Sequence, residues 1–204
     1  MRRAKKEELE ALSVFFAEQF AEKEQMQVMG RGLDPEKAKQ ISIDLLYGQL
    51  KHIYKHGDIF VSGDISGAIA GISSRKMTWF YLLPLLVSTM RTIFRSLSKD
   101  ERKILTKNAK VVNEAHSTNW YKKHCHDAPY YLAIFAVDKA ERGRGHCREL
   151  LEALLGHAGS RYKTMVLETH TKENVSLYEH FGFELFETKE DKEKIIMEYR
   201  MMKR

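Results

Sequence analysis

Apolar residues recur at helical spacing near the start of the chain. Leu9, Leu12, Phe15, Phe16 and Phe20 form one stripe, which predicts a helix over residues 5–20. The stretch from Gly30 to Pro35 is a break, and Asp34 is placed to cap a following helix with Pro35 at its first position. Ile41, Leu45, Leu46 and Leu50 carry that helix to about His56. Two short apolar runs then flank Gly63-Asp64, which predicts a hairpin over residues 58–72. Gly67 and Gly71 in its second run imply a bulge or a close backbone approach.

From Trp79 to Val87 the chain is almost wholly apolar. Pro84 interrupts it and Arg91 and Arg95 follow. It falls short of the ~20 residues that a membrane span requires, and a buried or cleft-lining helix is expected. Ser98 and Glu101 stand three apart, as in a capping box, and open a more charged helical stretch. A run from Val111 to Trp120 is expected to continue that helix. Residues 130–137 read as a strand, and Leu150, Leu151, Leu154 and Leu155 mark the helix after it. Residues 163–169 form the next strand. A closing hairpin is expected from residues 184–188 and 194–201.

Between the central strand and its helix lies Arg142-Gly143-Arg144-Gly145-His146-Cys147. Unpaired N–H groups and the positive dipole end of a helix start suit an anion there, and glycine lets a bulky ligand approach. The arginines suit phosphate oxygens. The stretch lacks the GxxxxGK[ST] of a P-loop and the third glycine of a dinucleotide fingerprint. It resembles the acyl-CoA loop of the GNAT acetyltransferases, Gln/Arg-x-x-Gly-x-Gly/Ala, with Arg142 and Gly145 matching and Cys147 departing at the last position. A second motif follows, Val166-Leu167-Glu168-Thr169 and then Asn174, Tyr178, Gly182 and Phe183. Its form is similar to the puromycin acetyltransferase-like branch of that family.

The resemblance implies an α/β GNAT fold, with a mixed, mostly antiparallel sheet splayed at the acyl-CoA site and flanked by helices. It implies one acetyltransferase domain over residues 1–204, with 78–125 as a helical insertion and the early helix pair bordering the acceptor site. It further implies an acetyl-CoA-dependent N-acetyltransferase, acting by direct attack of a primary amine on the thioester in a ternary complex. Backbone groups of Phe135, Ala136 and Val137 would hold pantetheine, with the Val137 N–H as oxyanion donor. Backbone N–H groups of Arg142, Gly143, Arg144, Gly145, His146 and Cys147 would hold the diphosphate. Asn174 and Tyr178, one turn apart, would face the same cofactor. Tyr178 is the expected general acid and Glu168 the expected base, with Glu114, His116 and His170 as rivals.

Composition narrows the partners. The formal net charge of +6 is spread among acidic residues rather than gathered in a stripe, so a polyanionic cofactor accounts for it and no nucleic acid is expected. Two cysteines, Cys125 and Cys147, fit a reducing compartment rather than a disulfide framework. The charged start lacks a signal-peptide core, so a cytoplasmic protein without a membrane partner is expected. Lys122-Lys123-His124-Cys125-His126-Asp127 reads as a solvated loop, because adjacent ligands do not surround one ion, and no metal is expected. Tyr47, Trp79, Trp120 and Tyr121 are aromatics available to an acceptor site. The acceptor is expected to be a small-molecule amine. The alternatives are a protein or peptide amine, or acyl-CoA binding without catalysis. A homodimer is an open assembly.

Overall fold

A computed structural model describes residues 1–116 and 119–204. A short strand β1 (Arg2–Arg3) precedes α1 (Leu9–Phe20), α2 (Glu24–Gly30) and α3 (Pro35–His56). The strands β2 (Asp58–Ser62) and β3 (Gly67–Ser73) form the hairpin, and α4 (Trp79–Ser96) and α5 (Lys99–Ala115) follow. Then come β4 (Tyr130–Val137), α6 (His146–Gly159), β5 (Met165–Thr169), α7 (Lys172–His180), β6 (Glu184–Glu190) and β7 (Met197–Lys203). The strands make one seven-stranded sheet in the order β1-β2-β3-β4-β5-β7-β6. Only β4 and β5 run parallel, so the sheet is mixed and mostly antiparallel.

Local chemistry explains most boundaries. The Asp34 carboxylate accepts the Lys37 N–H with Pro35 in the first turn, so α3 starts where its cap stands. Ser98 and Glu101 close a reciprocal capping box on α5. In β3, a side chain at Gly71 would run into the Tyr130 ring, and one at Gly67 would lie 2.9 Å from Leu150 Cδ1. Both glycines therefore mark close approach, and the pairing with β4 shifts register at Ala70/Gly71.

Each face of the sheet carries its own core. On one, Leu150, Leu151 and Leu154 of α6 pack with Ile69, Tyr130 and Leu167. On the other, Leu12 and Phe16 of α1 and Leu50 and Ile53 of α3 pack with Val61 and Ala68. Each such leucine is fully enclosed and contributes roughly 1.5–3 kcal/mol of transfer free energy.

Two expectations change. The apolar run of α4 is not buried: Trp79, Phe80 and Phe94 are 74%, 68% and 64% exposed, and α4 has no buried residue. Its apolar stripe is wider than its contact with α3. The helix expected to run on through Val111 to Trp120 closes at Ala115. Residues 117–118 of that run lie outside the described residues, and Trp120 sits in a separate 3-10 turn (Trp120–Lys123). α2, only seven residues long, had no periodic stripe to announce it. The expected closing hairpin forms at the sheet edge, with β7 paired to β5 and β6 outermost. Among the described residues no helix is long and apolar enough to cross a membrane.

Candidate active site

β4 and β5 are paired at Tyr130↔Met165 and Tyr131↔Val166, and among the described residues the pairing stops there. The reason lies in β4. Ala70 stands opposite Ile134 and Gly71 opposite Leu132, so Ala133 is an extra residue that bends the strand away from β5. Past the bulge, the Asp138 N–H donates to Ser66 O at 2.9 Å. Alternation then turns the backbone groups of Ala136 toward β3 and those of Phe135 and Val137 into the gap. Of the three residues expected to hold pantetheine, Ala136 thus turns its backbone groups to β3, and Phe135 and Val137 turn theirs to the gap.

At the end of β4 a 3-10 turn, Lys139–Glu141, leads into the glycine loop. Gly143 and Gly145 hold φ of +81° and +88°, values that L side chains rarely adopt, with nothing within 4 Å of a built Cβ on either. Gly145 occupies the N-cap of α6 without a side-chain cap bond, so first-turn N–H groups are left for a ligand. Arg142, Gly143, Arg144 and Gly145 are exposed. Arg144 is held by both Glu141 oxygens at 3.1 and 2.9 Å, while Arg142 makes no ion pair among the described residues. His146 turns its Nδ1 to Ser62 Oγ at 2.5 Å. Cys147 explains its own departure from the motif. Its side chain packs against the core that α6 covers, where burial raises the thiol pKa.

Beside the gap lies a cleft of about 330 Å³. Glu168, His170, Asn174 and Tyr178 line it, and His116 reaches in from the end of α5. Phe20, Lys23 and Met26 of the α1–α2 region close the far wall. Lys23 Nζ donates to Thr171 Oγ1 at 2.9 Å and ties that wall to the start of α7. Asn174 Nδ2 donates to Thr169 Oγ1 at 3.1 Å. Tyr178 is buried and packs edge-on against Phe183 at 5.8 Å; burial pushes its phenol pKa up.

Glu168 accepts from Trp120 Nε1 and from the Tyr131 hydroxyl. Burial raises its pKa to about 7, with Glu198 adding to the rise; the two donors and His116 pull against it. Glu198 is fully buried on β7. His116 Nδ1 lies 2.7 Å from one of its oxygens and Arg200 Nε 2.8 Å from the other. Burial alone would raise the Glu198 pKa, but these partners hold it at about 2. His116 is raised in turn by its bond to Glu198. His170 Nε2 is buried without a hydrogen-bond partner and lies 3.6 Å from Glu198, beyond bonding range.

His116, His170 and Glu198 bring ligand atoms within 4.8 Å of one another, the spacing of a metal site. However, Arg200 already neutralises the carboxylate and His116 is hydrogen-bonded to it. The arrangement is that of a histidine held by a carboxylate. Of the rivals for the base, Glu114 faces Lys192 at 3.8 Å and does not line the cleft. Of the aromatics, Trp120 touches Glu168 and Tyr121 packs behind it against Trp120 and Tyr131, whereas Trp79 stands in solvent and Tyr47 packs with the core of α1 and α3. Tyr131, Glu198 and Lys23 were not foreseen. Glu198 had one signal, an acidic residue in an otherwise buried strand.

Residues 100–185 match the family model described as an acetyltransferase (GNAT) domain. No curated protein sequence matches the chain. Among solved structures, the chain is similar to a histone acetyltransferase HPA2 and related acetyltransferase from Corynebacterium glutamicum, with TM-score 0.66, 16% identity, and 99% of this chain and 93% of that one covered. It is similar to an N-acetyltransferase from Staphylococcus aureus, with TM-score 0.63, 17% identity and 98% of each chain covered. A mosquito arylalkylamine N-acetyltransferase like 5b matches with TM-score 0.56, 14% identity, and 99% and 97% covered. Residues 100–185 thus carry the match to a GNAT acetyltransferase domain, and the splayed sheet of the whole chain has the fold of the acetyltransferase structures it is similar to.

Proposed function

We propose that this protein transfers the acetyl group of acetyl-CoA to the primary amine of a small molecule, by direct attack in a ternary complex. Acetyl-CoA supplies an already activated thioester, so the chain needs no nucleophile of its own. Phe135 and Val137 offer main-chain groups to pantetheine, and the Val137 N–H is the donor for the developing oxyanion. The open, left-handed glycines and the uncapped start of α6 fit a diphosphate, held by N–H groups of residues 142–147. Asn174 borders the same space. Tyr178, kept neutral by burial, donates toward the departing sulfur.

The observation that carries the reading is Glu168. It stands in the cleft beside the gap, fixed by two donors, with a pKa of about 7. A base with that value is half ionised at neutral pH, near the optimum for removing a proton from an amine. The Lys23–Thr171 tie narrows the cleft and supports a small acceptor over a protein chain. The similarity to an arylalkylamine acetyltransferase points the same way. The Leu167-Glu168-Thr169 strand with Asn174 and Tyr178 supports a place in the puromycin acetyltransferase-like branch. We read residues 1–204 as one acetyltransferase domain, and the free cysteines support a reducing compartment.

The test is thiol release from acetyl-CoA against a panel of arylalkylamines, polyamines, aminonucleosides and lysine peptides. Turnover with a small amine and none with peptides is the expected result. Turnover only with peptides selects protein acetylation. Binding of acetyl-CoA with no transfer to any amine selects a non-catalytic domain.

A further inference from the structure

The exposed face of α4 has no role in the cleft. Seen down the axis at ~100° per residue, Leu86, Trp79, Met90, Leu83, Phe94, Val87 and Phe80 occupy one arc of about 120°. Every one of them is at least 48% exposed. The stripe runs from Trp79 to Phe94, about 22 Å at 1.5 Å per residue. The side of the helix with Leu85 packs down on the protein, chiefly on α3, and Leu82 and Ile93 lie between it and the arc. Apolar patches of this extent mark an interaction surface.

Charge selects the partner. α4 contains no acidic residue, and Arg91 and Arg95 line one rim of the apolar arc. Arg75 and Lys76 precede the helix. Among the described residues, Arg75, Arg91 and Arg95 make no ion pair, and the nearby acids Asp100 and Glu101 are each held by a lysine. A twofold pairing of α4 with a second copy, antiparallel, would lay Arg91 and Arg95 beside Arg75 and Lys76 with nothing to offset the repulsion. Apart from the Trp79 indole N–H, the arc offers no hydrogen-bonding group, whereas protein interfaces carry about one hydrogen bond per 100–200 Å². A convex apolar ridge with tryptophan and phenylalanine at one end and arginines along its rim is suited to the boundary between headgroups and acyl chains. We propose that α4 docks this protein, lying flat, on a membrane surface rich in anionic lipid. This departs from the expectation of no membrane partner, and it is independent of the acetyl-transfer reading.

The test is co-sedimentation of the full chain with vesicles of phosphatidylcholine alone or mixed with phosphatidylglycerol. The tryptophan emission is followed in parallel. Trp79 is exposed and Trp120 is buried, so Trp79 dominates any shift. Binding at least tenfold tighter to the anionic vesicles, with a blue shift that Trp79→Phe removes, is expected. Raising salt to about 0.5 M should weaken it, since exposed charges are then screened within a few ångströms. Leu83→Glu/Val87→Glu should abolish binding with an unchanged circular dichroism spectrum and unchanged acetyl transfer. Arg91→Glu/Arg95→Glu should weaken it at least tenfold. Equal affinity for both vesicle types, or either double variant binding like the parent, overturns the proposal. So does absence of vesicle binding together with a dimer in sedimentation velocity that Leu83→Glu/Val87→Glu dissolves, which would assign the face to a second copy.

Discussion

The proposed donor side of the cleft and the proposed acceptor side are made of different material. The donor side is main chain: two positive-φ glycines, an uncapped helix start and the free edge of β4. The acceptor side is a set of buried ionisable side chains on three elements, Glu168 on β5, His116 at the end of α5, and Glu198 and Arg200 on β7. Backbone amides keep their polarity at any pH and grip by geometry. Buried carboxylates and imidazoles set one another's protonation. The donor side should therefore govern affinity for acetyl-CoA, and the acceptor side turnover and its pH dependence.

The largest expected effect lies on the acceptor side. Glu168→Gln should lower kcat by ~10²-fold or more with KM for acetyl-CoA unchanged, the scale of a lost general base. In the parent, steady-state rates should rise with pH through about 7 as Glu168 loses its proton, and that limb should vanish in the variant. Next comes the donor side. Gly145→Val puts a β-branched residue at φ +88°, and should raise KM for acetyl-CoA ~10-fold or more with kcat at saturation largely kept. A reversal of these two patterns would break the comparison.

Tyr178→Phe should reduce kcat about 10-fold through the lost proton donor, and an unchanged rate at every pH would remove that role. His116→Ala sharpens the picture with a smaller change in rate. His116 lowers the Glu168 pKa, so its removal should move the acid limb to higher pH in a pH–rate profile. The smallest effect belongs to Arg144→Ala. Its guanidinium is held by Glu141, so KM for acetyl-CoA should change by less than about threefold, as for an exposed ion pair.

The same contrast explains what could be read from the chain. The donor loop was legible because main-chain chemistry is written in consecutive residues: Arg142 to Cys147 lie between a strand and a helix that their neighbours announce. The caps at Asp34 and Ser98 were legible for the same reason. The His116–Glu198 bond was not, since its partners stand 82 positions apart and meet only because β7 inserts beside β5. Alternation along the strand placed Glu168 and His170 on one face, but not the Tyr131 and Trp120 donors that fix the carboxylate. The α4 face misled because an apolar stripe has the same spacing whether it meets a core or faces outward. Only the tertiary contacts of α3 show how narrow its buried side is.

The early end of pairing between β4 and β5 leaves the sheet one rung-set short. The main-chain groups of β4 that face the gap beyond Tyr131 must be satisfied by water or by a guest molecule with amides of its own. A guest that completes the ladder adds its binding free energy to folding, about 2.7 kcal/mol at a hundredfold excess over Kd. Resistance to heat would then track the supply of the guest. A melting temperature that climbs with the logarithm of added desulfo-coenzyme would show that this fold is finished by its own metabolite.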